Sequence, residues 1–309
     1  TQSVRWQLTD LYHGINDPAI ETDLDTVIVQ AKKFSQTYKT KLDTLSATDL
    51  KIAYQTLEAL LTPLYKISQF IALTFSIDTS NDSVKALMAH IDERESDISN
   101  ELLFFDLELS KLPKETLETL IKDPSLQPYN HSLQRSKETA QFNLSEKEEQ
   151  LINKKDLTGS DAWTKLYEEL TSDFEFEFTV DGKQQKMNGS QLRALRQHPD
   201  KTTRRQAMSL FLNRYKEHAL IFTHIYNNVI KDYTIEKQWR DYPSGAISQR
   251  NIANNLPDQA IAALHDVTTA SYPLVQRYYE LKKKIQNIPD MTLADIYAPL
   301  PESNREYSF

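Results

Sequence analysis

The chain has 309 residues with 36 Lys and Arg against 44 Asp and Glu, a formal charge of −8, and no cysteine. That balance argues against non-specific nucleic-acid binding, which needs cationic neutralisation of phosphates, and the missing cysteines exclude disulfides, thiolate ligands and a cysteine nucleophile. With 5 glycines and 12 prolines, few for an all-β fold, the composition points to a mostly α protein.

Trp6, Leu8, Leu11 and Tyr12 form an aromatic opening, and a helix follows from about Ile20 to Tyr38. Ser46 to Ile77 reads as a longer helix in which Pro63 predicts a kink rather than a stop. Asn81 caps the next helix, which carries its apolar stripe on through Phe105 and Leu109, and Pro113 starts a short one. Leu144 to Leu170 then reads as a helical hairpin. Ser145 and Glu148 have capping-box spacing, and Gly159 is expected to end the first helix in the left-handed conformation. Trp163, Leu166, Tyr167 and Leu170 mark one face of the second helix.

One β signal interrupts the helices. Phe174, Phe176, Phe178 and Val180 alternate with polar residues, and Asp181-Gly182 follows directly, which predicts a β-hairpin over 174–187. From Thr202 to Arg240 the pattern is helical without proline or glycine. Unbroken, it would reach ~58 Å, and its apolar face is wide enough to be packed on both sides. Leu256-Pro257-Asp258 opens a last helix to about Lys284, and the tail from Asp295 to Phe309 is turn-rich. No apolar run approaches the ~20 residues that span a bilayer. The first residues lack a signal-peptide pattern, so a cytoplasmic protein without membrane or nucleic-acid partners is expected.

Candidate chemistry is sparse. A helical zinc site needs histidines at i and i+4 with a glutamate beside the first. The seven histidines offer no such pair; His218 and His224 are six apart, so Glu217-His218 has no partner. His90 with Glu93 or Asp97 could touch a metal on one face, but such charged faces are ordinarily solvent-facing. Glu175 and Glu177 share one strand face, as paired acid/base carboxylates would, and read more simply as its solvated side. Arg204-Arg205 and Lys282-Lys283-Lys284 could bind phosphate and read more simply as solvated faces. No glycine pair fits a phosphate loop. The residues themselves thus assign no catalytic, substrate-binding or metal position.

Several short strings nevertheless occur in a telling order. Trp6-x-Leu8-x-x-Leu11-Tyr12 comes first, then Leu144-Ser145-x-x-Glu148-Glu149, Thr158-Gly159, Ala162-Trp163 and Leu166-Tyr167-x-x-Leu170. The Asp181-Gly182 hairpin, Arg204 or Arg205 with Gln206-Ala207, and Arg240-x-Tyr242-x-Ser244 follow, with Asp241 where glycine is usual. Asn254-Asn255, Tyr278-Tyr279-x-x-Lys282 and Asp295-x-x-x-Pro299-Leu300 complete the series. In that order the chain resembles oligoendopeptidase F, a branch of the zinc oligopeptidases related to thimet oligopeptidase. The resemblance implies a mostly α, multi-helix bundle with one small β-hairpin, the N-terminal part of a neurolysin-like fold. It also implies an N-terminal helical domain at 1–140 and, at 141–309, the first part of a catalytic-region helical shell.

Whole enzymes of that family hydrolyse short peptides, with zinc polarising the carbonyl and a glutamate taking the proton of its bound water. Their H-E-x-x-H helix follows the Asp-x-x-x-Pro region and has no counterpart among these 309 residues. The expectation is therefore an N-terminal portion that binds no zinc and cleaves nothing alone, with the missing catalytic segment as its partner. The alternative is a stand-alone helical interaction module. If a segment is missing, the 202–240 helix and the Tyr272, Tyr278 and Tyr279 face should be left uncovered, self-associated, or accompanied by disorder near Asp295 to Phe309.

Overall fold

The structure is a computed structural model, which describes residues 6–300. It is 75% helical with a single two-stranded antiparallel hairpin among the described residues, as the sequence predicts. The chain divides into two compact units. One takes the chain up to Trp163 together with Lys231–Tyr242, the other Thr164–Ile230 and the chain from Pro243 on.

The first unit is built on α1 (Pro18–Tyr38), α2 (Ala47–Ile77) and α3 (Asp82–Leu102). Asp17, Ser46 and Asn81 cap them by accepting backbone N–H groups, which satisfies donors a helix start leaves orphaned. Pro63 stands inside α2 without ending it. Leu24, Val27, Ala31, Ile67, Phe70 and Ile91 bury the facing stripes, and Tyr12 meets Phe70 edge-on at 5.3 Å. By length and composition α2 could cross a membrane, but here its apolar stripe forms the core of this unit.

The expected continuation of α3 through Leu109 is interrupted at Leu103, where α4 (Phe104–Ser110) begins. α5 (Lys114–Lys122) starts after Pro113, and α6 (Asn130–Thr139) follows a 3-10 turn. α7 (Glu146–Asp156) has the predicted capping box, with both Ser145–Glu148 bonds present. Its contacts with α3 are polar: Asn153 donates to the Ser96 carbonyl at 3.2 Å and to Asn100 Oδ1 at 2.8 Å. Gly159 lies outside the left-handed region, contrary to expectation. A Cβ there would come within 3.1 Å of the Lys155 carbonyl, so crowding by the preceding turn, not handedness, explains a glycine.

α8 (Ser160–Ser172) leads to β1 (Glu175–Val180) and β2 (Lys183–Asn188), paired from Glu175↔Asn188 to Val180↔Lys183. Asp181 and Gly182 have φ of 48° and 77°, the two positive values a tight two-residue turn demands. Phe174, Phe176 and Phe178 point into the core of the second unit, against Met187, Leu192 and Ala207. α9 (Gly189–Ala194) precedes α10 (Lys201–Glu217) and α11 (Ala219–Trp239). The predicted single helix from 202 to 240 is thus broken at His218. Nor is it packed on both sides: Leu212, Leu220, Tyr226 and Ile230 are exposed.

α12 (Ser248–Ala253) and the long α13 (Asp258–Gln286) complete the helices. Of the face expected to lie uncovered, Tyr272 and Tyr278 are exposed and Tyr279 is half-buried; Leu264, Val267, Leu274 and Val275 of α13 also face solvent. Of the tail, the part past Leu300 lies outside the described residues.

Candidate functional site

Two charge networks join strings that lie far apart in the sequence. In the second unit Arg204 donates through Nη2 to Asp295 Oδ1 at 2.8 Å, and its Nη1 reaches the carbonyls of His198 and Pro199. Arg205 bridges Asp295 Oδ2 at 2.9 Å and Asp290 Oδ2 at 2.7 Å, and Lys201 meets Asp290 at 2.6 Å. The Arg204 side chain is 1% exposed and that of Asp295 0%. Burial opposes the Asp295 charge, but the Thr292 amide and the two guanidiniums outweigh it and bring the carboxyl down to about 2. The same segment is held by Lys282, which donates to the Ile296 carbonyl, and by Gln286, which donates to those of Ala298 and Pro299.

These arginines are therefore neither a phosphate site nor a solvated face. Burial of Arg204 needed a carboxylate 91 positions away, which no local pattern reveals. Of the lysine run, Lys283 pairs with Glu280 at 2.7 Å, and Lys282 is buried, its ammonium pushed below the ordinary value by that burial and by Arg204.

In the first unit Arg240 clamps Glu149 through two nitrogens, at 2.5 and 2.7 Å, and also meets Glu236 at 2.8 Å. Burial works against the Glu149 charge, yet the Arg240 guanidinium and the Leu144 amide hold its carboxyl below the usual range. Tyr242 stacks on Phe142 at 4.5 Å beside this pair. Asp241, where the resembled family has glycine, has φ 53°. The position requires the left-handed region, which glycine enters freely and aspartate tolerates better than most residues.

The residues weighed for metal or acid/base chemistry stay apart. His90 pairs with Glu21 at 3.0 Å, while Asp97 pairs with Lys154 at 2.6 Å. The His218 ring shares its Nδ1 with the Arg214 carbonyl and lies 4.9 Å from the Phe174 ring. Glu217 meets Arg214 at 3.2 Å. Glu175 bonds Lys186 and Glu177 accepts from Gln184, both on the solvent face of the hairpin. Among the described residues no group of three or more His, Cys, Asp or Glu could hold a metal ion.

The feature that sequence reading missed is a cavity of about 790 Å³ among α8, α10 and α11 of the second unit. Tyr167, Tyr215, Phe222, Ile225, Tyr226 and Val229 line it. Tyr215 stacks on Phe222 at 4.9 Å, and Tyr167 meets Phe222 edge-on at 5.8 Å. Such a wall offers apolar contact with few directing polar groups, as pockets for apolar side chains do. The unusually wide apolar face over 202–240 was the available signal; the break at His218 turned part of it into this concavity.

Comparison with known proteins points to the same resemblance. A family model described as Oligopeptidase F matches residues 108–176, the stretch holding the capping box and the start of the hairpin. An oligoendopeptidase F homolog of Lactococcus lactis is 24% identical, covering 100% of this chain and 51% of the relative. One of Borreliella burgdorferi is 22% identical over 96% of this chain and 49% of the relative. The crystal structure of oligoendopeptidase-F from Enterococcus faecium superposes with a TM-score of 0.79 at 22% identity, over 91% of this chain and 56% of that one. The chain matches the N-terminal portion of an oligoendopeptidase F. It spans about half the length of the curated relatives. The Arg204–Asp295 and Arg240–Glu149 networks join strings on which the sequence resemblance rests.

Proposed function

We propose that this chain is the N-terminal portion of a zinc-dependent oligoendopeptidase that hydrolyses peptide bonds in short peptides. In this reading it forms a wall of the substrate cleft and has no peptidase activity alone. The observation that carries the reading is a fold match to an oligoendopeptidase-F over nearly the whole chain but about half of the relative. The zinc implied by the family finds no ligand set among the described residues, so no hydrolytic step is assigned to them. What these residues supply is shape: an aromatic cavity in one unit, and a segment around Asp295 held by α10 and α13.

The test pairs the 309-residue chain with the product of its full reading frame. The longer product should cleave a quenched-fluorescence peptide in a chelator-sensitive way, while the chain alone, supplied with zinc, should not. Stoichiometric zinc with cleavage by the chain alone would overturn the proposal. A reading frame that stops at Phe309 would favour the helical interaction module instead.

A further inference from the structure

A second cleft, in the first unit, is chemically unlike the aromatic cavity. It measures about 410 Å³ and opens between α4 and α6, with Asp106, Ser132, Arg135, Ser136 and Asn143 in its walls. Ser132, Ser136 and Thr139 recur at i, i+4 and i+7, so α6 turns one hydroxyl-bearing face to the space. Ser136 donates to the Ser132 carbonyl at 3.2 Å, and Thr139 donates to that of Arg135 at 2.9 Å. Having spent their single protons, both hydroxyls keep lone pairs to accept with. Ser132 Oγ lies 3.3 Å from the Tyr54 hydroxyl.

The other charges in the wall are matched. Glu149 and Arg240 are bound to each other, and Arg135 reaches Glu138 at 3.3 Å. Asp106, in the first turn of α4, has neither an ion pair nor a side-chain hydrogen bond among the described residues. Asp106 is exposed and lines the cleft, and desolvation by the surrounding protein holds its carboxyl above its ordinary value. Ser132 lines the same cleft.

We propose that this cleft binds a small organic ammonium, with Asp106 as counter-ion and the Ser132 and Ser136 oxygens as further acceptors. An ammonium carries three donors and no acceptor, and this wall offers one unpaired carboxylate beside hydroxyl oxygens. Arg135 and Arg240 of the wall are already bound to Glu138 and Glu149, so the charge left for a guest is that of Asp106. That charge would repel an anion, and an apolar guest would deprive the carboxylate of water without replacing it. The volume lies near the lower end of ordinary ligand sites, roughly 300–1,000 Å³, which suits a small amine. The site is independent of the peptidase reading, since it uses no residue assigned to peptide or metal.

The test is saturation-transfer NMR on the 309-residue chain with n-butylammonium, n-butyramide and butyrate as probes. Transfer to butylammonium alone is expected, with affinity falling about ten-fold or more in Asp106→Asn, in line with loss of a charge-assisted bond. Ser136→Val, which fills the cleft and leaves the charge, should weaken binding as well and covers the case in which Asp106→Asn fails to fold. Nα-acetyl-lysine amide separates the sources: its binding assigns a lysyl side chain, and its exclusion a free amine. Equal binding of butyramide, unchanged binding in folded Asp106→Asn, or no binding to the parent chain would overturn the proposal.

Discussion

Arg204 and Asp295 are nearly sealed from solvent, so the value of the pair lies in what its loss would strand. Asp295→Ala leaves a buried guanidinium without its counter-charge, a change that costs about 3–5 kcal/mol. A loss of unfolding free energy of that size, read from chemical denaturation, is expected for Asp295→Ala, and a smaller one for the part-exposed Arg205→Ala. The pH dependence follows from the depressed Asp295 carboxyl. A carboxylate lowered to about 2 contributes stability that is full above the unfolded value, near 4, and lost as pH falls toward 2. Asp156 has the opposite sign. Burial, then Asp232, Asp161 and Glu236, raise its carboxyl to about 6, so the folded chain holds an extra proton between about pH 4 and 6 and loses stability as pH rises through that window. Asp156→Asn should therefore stabilise the chain at pH 7.5, by about 1 kcal/mol after solvent screening, and have no effect below pH 4. Melting curves at both pH values check this; equal effects at both would refute it.

At the scale of elements, local chemistry made much of the fold readable. Ser145-x-x-Glu148 announced the start of α7, and Asp181-Gly182 between alternating phenylalanines announced the hairpin and its buried face. Where the reading went astray, the deciding contact was not local. The breaks at Leu103 and His218 carry neither glycine nor proline, so no local signal marked them. Phe104 and Phe105 are buried just past the first, and Phe222 packs on the second unit's core just past the other. Arg204-Arg205 looked solvated because its partners lie 85 to 91 positions on, and the aromatic cavity needs three helices to exist. The departure at Asp241 shows the reverse case, in which a residue that seemed to weaken the resemblance meets the same backbone demand. Its positive φ predicts that Asp241→Gly stabilises the chain by up to about 1 kcal/mol, since glycine removes the strain of a left-handed side chain. The melting temperature should rise; a fall would mean that the aspartate side chain supplies something else.

For the molecule as a whole, the largest question is what α13 was built to meet. Its 29 residues bury a single side chain, Lys282, while Leu264, Val267, Tyr272, Leu274, Val275 and Tyr278 face water. Proteins rarely leave large apolar patches open, and the relatives are about twice as long as this chain. The isolated chain should consequently self-associate through this helix. Light scattering is expected to show an apparent mass that rises with concentration, and Leu274→Lys with Tyr278→Lys should return it toward 35.8 kDa. Because both positions are exposed, the double variant should melt within a few degrees of the parent, as substitutions at exposed sites do. That combination separates a sticky surface from a damaged core. A parent chain that stays monomeric at high concentration would mean that α13 needs no partner, and would weigh against the proposal that this fold is one portion of a larger enzyme.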